Sequence, residues 1–324
     1  MLSSIRSPLN RLVLVLALAC LLSSPLHAQD KPVRMIVGFP PGGTTDILAR
    51  LVAEKMRDGI GQTVIVDNRP GAIAGIAAEA VKSAPPDGTT IMMTVIGAMI
   101  VAPNARKANS FDTLKDFAPV SLVTTAHLAI AVGPAMPARN MKEFLDWARA
   151  NKGRAFYATS GAGSLPHMLG LMLAKEAGVE LTHVPYKGAA AYLNELIGGQ
   201  IPAAFDAMGD LSEQHRAGKI RILASAGAAR SKAMPEIPTL REQGLNVEGA
   251  AWFGLFAPVG TPKPIVDRMS AAVAKALLQP DVAAKVFTLN MEPVGSTPEE
   301  FRKVVQDDWV KWGAVVKASG FSLD

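Results

Sequence analysis

RMIVGFPPGGTTDILARLVAEKM, residues 34–56, decides the fold class of this 324-residue chain. Residues 33–39 are a short apolar run suited to a buried strand, and residues 46–56 place Ile47, Leu48, Leu51, Val52 and Met56 at helical spacing. Between them sits a loop of two prolines, two glycines and two threonines, Pro40 to Thr45. A strand, a glycine-rich turn and a helix start together make an anion receptor, because the first N–H groups of a helix lack internal acceptors and carry the positive end of its dipole.

The same alternation continues outward. Residues 63–66 read as a second strand, 76–82 as a helix ended by Pro85-Pro86-Asp87-Gly88, and 89–96 as a third strand. After an irregular excursion over 102–119, an apolar run at 128–132 leads into a second series. Its helices are expected at 141–150, 166–177 and 189–197, and its strands at 155–159, 181–185, 203–205 and 220–224. Strands alternating with helices predict an α/β fold with a parallel sheet covered on both faces. The two series predict two doubly wound α/β domains with a cleft between them: residues 29–130 plus 225–324, and residues 131–224. The remaining segments, 263–278, 281–289 and 298–318, read as helices. The last starts at Thr297-Pro298-Glu299-Glu300, an N-cap followed by proline and two acidic residues, and carries Trp309 and Trp312 as a packing stripe.

Residues 1–28 have the layout of a cleavable secretory signal peptide: Arg6 and Arg11, an apolar run over 12–22, then Ser23, Ser24, Pro25 and Ala28. The run is shorter than the roughly 20 residues of a membrane-spanning helix. Lipidation at Cys20 is disfavoured by the residues before it. No other cysteine exists, so the chain beyond residue 28 has neither disulfides nor thiol chemistry. Without Arg6 and Arg11 the formal charge falls from +5 to +3. Basic residues are scattered and aromatic residues few, which excludes the clustered basic face of a nucleic-acid binder.

The first loop satisfies part of a nucleotide phosphate-loop pattern and fails its essential part. Thr44 stands where the phosphate-binding lysine belongs, and Pro40 and Pro41 remove two N–H donors. What remains is a smaller site, with the N–H groups of Gly42, Gly43, Thr44 and Thr45 and two hydroxyls, matched to a carboxylate. A second loop of this kind, Thr159-Ser160-Gly161-Ala162-Gly163-Ser164, again follows a strand and precedes a helix. Two such loops across a cleft would grip a small acid from both sides. Asp46 is expected to bond its own loop or a polar ligand group, and Asp206 to touch either ligand or loop backbone. His167 is read as a capping or packing residue first and a ligand contact second. The chain has no H-E-x-x-H, no paired metal-ligand spacing and no G-x-S-x-G elbow, so no catalytic group, metal or cofactor is implied.

The residues identified so far lie in segments that resemble the extracytoplasmic solute receptors of tripartite tricarboxylate transporters, the Bug (Bordetella uptake gene) family. The similarity runs through RMIVGFPPGGTTDILARLVAEKM, GQTVIVDNRPGA, PDGTTIMMT, ATSGAGSLPHM, HVPYKGAAAYLNELIGGQIPAAFD, MPEIPTLREQG and WFGLFAPVGTPKPIVDRM, in that order. The resemblance implies a periplasmic binding protein of the type II kind that closes on a small organic acid and serves membrane permease subunits, and a monomer is the default expectation. A sensor protein is the alternative partner, and an enzyme is the remaining alternative. It also implies a carboxylate held by backbone N–H groups, hydroxyls and waters. The positions are Phe39, Gly42, Gly43, Thr44, Thr45 and Asp46 in the first loop, and Thr159, Ser160, Gly161, Ala162, Gly163, Ser164 and Asp206 in the second unit. The chain departs from the family pattern at Ile73, Ala74 and Gly75, where a glycine pair and an asparagine are usual, and at Ala162, often asparagine. These departures predict a less polar distal pocket.

Overall fold

The computed structural model describes residues 31–324, and the leader reading of residues 1–28 lies outside them. Strand β1 (Val33–Val37) is the centre of a parallel block, flanked by β2 (Val64–Asn68) and β3 (Thr90–Val95). Its side chains alternate as a strand requires: Met35 and Val37 face one layer of core, and Ile36 faces the other. Helix α1 (Thr44–Ile60) covers the first face and buries Leu48, Val52, Met56 and Ile60. Each such side chain contributes about 1.5–3 kcal/mol on burial. Helix α2 (Gly75–Lys82) covers the second face through Ala77, Ala78 and Val81.

A π-helical segment (Gly97–Val101) and a single helical turn (Ala102–Asn104) lead to β4 (Phe117–Val132), a 16-residue strand. Over Phe117–His127 it pairs antiparallel with β9 (Ala250–Pro258), and from Leu128 onward with β7 (Ala203–Ala207). One strand thus belongs to two sheet halves. The second half repeats the first: β5 (Phe156–Thr159) is flanked by parallel β6 (Thr182–Pro185) and β7. Helices α3 (Met141–Ala150), α4 (Leu165–Ala177), α5 (Ala189–Ile197) and α6 (Met208–Arg216) clothe it. β8 (Arg221–Ser225) and β10 (Met291–Pro293) add antiparallel to β4.

The sheet is therefore mixed, with two parallel blocks joined through antiparallel β9 and β4, and the expectation of a parallel sheet holds only within each block. Three strand stretches went unread in the sequence, the shortest being the three-residue β10. The stretch 117–127 contains Pro119, which sits where the β4–β9 register shifts, between Pro119 and Ser121. Proline is tolerated at such a bulge because no ladder donor is needed there. The longest wholly unread strand, β9, is an apolar run with no alternation, as expected of a strand buried on both faces.

The C-terminal helices α7 (Lys263–Leu277), α8 (Pro280–Thr288) and α9 (Pro298–Ser319) follow. The expected start of α9 is present as a capping box, with Thr297 accepting from the Glu300 N–H and Glu300 accepting from the Thr297 N–H. Trp312 is fully buried and Trp309 partly so, both against the core.

Candidate functional site

The first loop hangs between the carboxyl end of β1 and the start of α1. Gly42 takes φ +82°, a conformation open to glycine, and turns the chain into Gly43, the N-cap, whose carbonyl accepts the first helical bond from the Ile47 N–H at 2.9 Å. No side chain caps this helix. The N–H groups of its first turn, at Thr44, Thr45 and Asp46, have no intrahelical acceptor and lie at the positive dipole end.

Asp46 shapes this loop from below. It is 3% exposed, and its carboxylate accepts from the Gly42 N–H at 2.9 Å, from Arg50 Nε at 3.0 Å and from Asn68 Nδ2 at 2.9 Å. Asn68 also donates to the Phe39 carbonyl at 3.1 Å, and Arg50 donates to Asn68 Oδ1 at 3.0 Å. The Arg50 hydrogen bond is the main reason the Asp46 pKa is held down at about 2. The paired guanidinium offsets the charge of Asp46, which would otherwise repel an anion at the helix start. Two details differ from the sequence reading. The Gly42 N–H is committed to Asp46, and Thr45 is buried, so Thr44 offers the exposed hydroxyl. Phe39 is half-buried, packed against the core under α1.

The second loop follows β5 and is more closed on itself. Asp206, 3% exposed, accepts the Ser160 N–H at 2.7 Å, the Ser160 hydroxyl at 3.1 Å and the Ala207 N–H at 2.9 Å. Burial, reinforced by the charge of Asp210, pushes its pKa up to about 6. Of the two roles open to Asp206, the structure displays the loop-backbone one. Thr159 donates its hydroxyl to the Gly161 carbonyl at 3.0 Å and lies 2.8 Å from His183 Nε2. The Gly163 N–H donates to His167 Nδ1 at 3.2 Å, and Ser164 caps α4 by accepting the His167 N–H at 3.4 Å. Ala162 is the exposed residue of this loop.

Three of the histidines pack or bond within the second unit. His167 and His183 stack with centroids 3.8 Å apart, and burial lowers both pKa values to about 4, so both rings are neutral at pH 7. Phe321 packs edge-on against His167 at 5.0 Å. His215 accepts the Ile222 N–H through Nδ1 at 3.1 Å. Among the described residues, no group of three or more His, Cys, Asp or Glu could hold a metal ion, and no helix is long and apolar enough to cross a membrane.

Each loop is thus assembled by the fold at the carboxyl end of the central strand of its own parallel block, where open α/β sheets bind ligands. Sequence reading missed Asn68 and Arg50. The spacing of Asp46 and Arg50, four apart on one helix, was the available signal for Arg50. Nothing local pointed from Asp46 to Asn68. A cavity of about 520 Å³ lies elsewhere, between α4 and α9, lined by Leu171, Met172 and Val315 among others.

Residues 48–321 match the family model described as tripartite tricarboxylate transporter family receptor. The protein BugT of Bordetella pertussis is 30% identical over 307 residues, covering 93% of this chain and 94% of the relative. Among solved structures, an R. palustris protein with adipate is 32% identical with a TM-score of 0.78, covering 90% of this chain and 98% of that one. MatC from Rhodopseudomonas palustris with bound malate is 32% identical with a TM-score of 0.74, covering 88% and 98%.

Proposed function

The chain belongs to the tripartite tricarboxylate transporter receptor family, and from that premise we propose that it is a periplasmic solute receptor that captures a small organic carboxylate and delivers it to membrane permease subunits. The observation that carries the reading is the uncapped start of α1, braced by Asp46, Arg50 and Asn68 so that its free N–H groups present positive potential to an anion. The adipate and malate found in two relatives belong to the same ligand class.

In this reading the chain works as two lobes, 29–130 plus 225–324 and 131–224, closing on the acid as a monomer. The first loop supplies the main grip through the N–H groups of Thr44 and Thr45 and the Thr44 hydroxyl. The second loop, already satisfied internally by Asp206 and Ser164, meets the ligand through Ala162 and ordered water, at little cost relative to direct bonds. The leader at residues 1–28 delivers the chain to the periplasm. No chemistry on the ligand is required: the groups nearest the loops are buried, neutral or committed to structure.

Isothermal titration of the purified protein against mono- and dicarboxylates of four to eight carbons, each paired with its neutral amide, tests the proposal. Binding of at least one acid with its amide inactive is the expected result. Amides that bind as well as their acids would sink it.

A further inference from the structure

The turn between β2 and α2 has an unusual backbone conformation. Ala72, Ile73 and Ala74 have φ values of 50°, 55° and 63°, three consecutive residues in the left-handed region that glycine and asparagine normally occupy. A β-branched residue such as Ile73 is the least suited to it. The turn is held from two sides. Ala74 is buried directly against Gly38, where an added Cβ would lie 2.2 Å from that of Ala74, and Arg106 donates to the Ala72 carbonyl at 3.0 Å. So the strained turn is locked onto the residue immediately before Phe39.

This lock leaves exposed hydrocarbon on the turn that packs against Gly38, where the chain enters the first loop. Ile73 is 40% exposed and Ile76 51% exposed, whereas Ala74 between them is 2% exposed. The arginines on the surrounding elements are already engaged: Arg50 with Asp46 and Asn68, Arg34 and Arg69 with Asp67, and Arg106 with the Ala72 carbonyl. The side of the first loop toward this turn therefore offers exposed apolar groups and arginines that already have partners. Sparsely populated backbone conformations cluster at active sites, ligand clamps and switch regions.

We propose that Ile73 is a specificity-determining residue, presented by the left-handed turn beside Gly38, which selects carboxylates with an apolar body, alkyl or aromatic, over acids with a second carboxylate. The proposal rests on the carboxylate reading of the first loop. Ala162, exposed on the second loop, adds a second apolar contact of the same sign.

Titration with hexanoate and adipate, six-carbon acids that differ by one carboxylate, reads the selectivity directly. The wild-type chain is expected to bind hexanoate roughly tenfold more tightly, the scale of one or two apolar contacts. Ile73→Asn keeps a residue that accepts the left-handed conformation, so the fold is retained, and Ile73→Gly removes the side chain altogether. Both are expected to cut the hexanoate preference to about threefold or less. Equal or tighter adipate binding by the wild type, binding of neither acid, or an unchanged ratio in both folded variants overturns the proposal. Gly43→Val separates it from the underlying reading: it should weaken both acids by a similar factor, and if it weakens neither, the carboxylate cradle itself fails.

Discussion

Asp46 and Gly42 face each other across the turn that starts α1, with the Gly42 N–H donated to the Asp46 carboxylate at 2.9 Å. That bond commits the Gly42 N–H to the Asp46 carboxylate and leaves the first-turn N–H groups of α1 as the donors of the proposed anion site. Asp46→Ala is expected to cost about 1–3 kcal/mol of stability, since it strands Gly42, Arg50 and Asn68 donors together. Ligand affinity should fall with it. The pH dependence follows from the sign of the shift. The folded state lowers the Asp46 pKa from 3.8 to about 2, so this stabilisation is full above pH 4 and is lost as pH falls through about 2. Urea midpoints measured from pH 2 to 5 should converge for wild type and variant at the acid end.

Gly43→Val tests the helix start. Gly43 has extended φ and ψ of −75° and 165°, and an added Cβ would meet only the Pro40 carbonyl at an ordinary 3.5 Å, so the variant is expected to fold. Branched methyls over the first-turn N–H groups should weaken carboxylate binding by about tenfold or more, the loss of one charge-assisted hydrogen bond. Calorimetry on a variant with unchanged melting temperature checks this.

Asp206 behaves oppositely to Asp46. Its folded pKa is raised from 3.8 to about 6, so the native state holds the proton more tightly than the unfolded chain. Its contribution to stability is greatest below about pH 4 and declines as pH rises through about 6. The ionised form, however, is the one that accepts both bonds from Ser160, so the second loop is best braced above pH 6. Denaturant midpoints of wild type and Asp206→Asn across pH 4–7 should show this decline in the wild type alone.

Asp308 joins two indoles, accepting from Trp252 Nε1 at 2.8 Å and Trp312 Nε1 at 3.0 Å. Both tryptophans are at most 2% exposed, and Phe301 packs edge-on against Trp252. Asp308→Ala leaves two buried donors unpaired and should destabilise the fold by about 2–4 kcal/mol, lowering the melting temperature. Carboxylate affinity at 25 °C should be unaffected, since these residues hold α9 to β9 and touch neither loop.

The contrast between the two loops shows how far local reading reaches. Both were found from glycines and threonines between a strand and a helix, and both stand where expected, at the carboxyl ends of β1 and β5. Their difference was not legible. Ser164 caps α4 and Asp206 braces Ser160, whereas α1 has no side-chain cap, and this leaves the first loop as the open donor. Asp206 lies 46 residues from Ser160, and Asn68 lies 22 from Asp46. No window of sequence holds such pairs.

The sequence by itself determined what depends on near neighbours. The 3.6-residue spacing of α1, the capping box at Thr297 and Glu300, and the glycine that permits φ +82° at position 42 are all set by steric and hydrogen-bonding rules within a few residues. Tertiary structure alone decided the insertion of β9 between β3 and β4, the stacking of His167 on His183, and the left-handed turn at 72–74 pressed against Gly38. Each of these depends on which distant surface excludes water from it. Burial and long-range pairing supply free energies that outweigh local propensity, and only the folded chain brings those partners together.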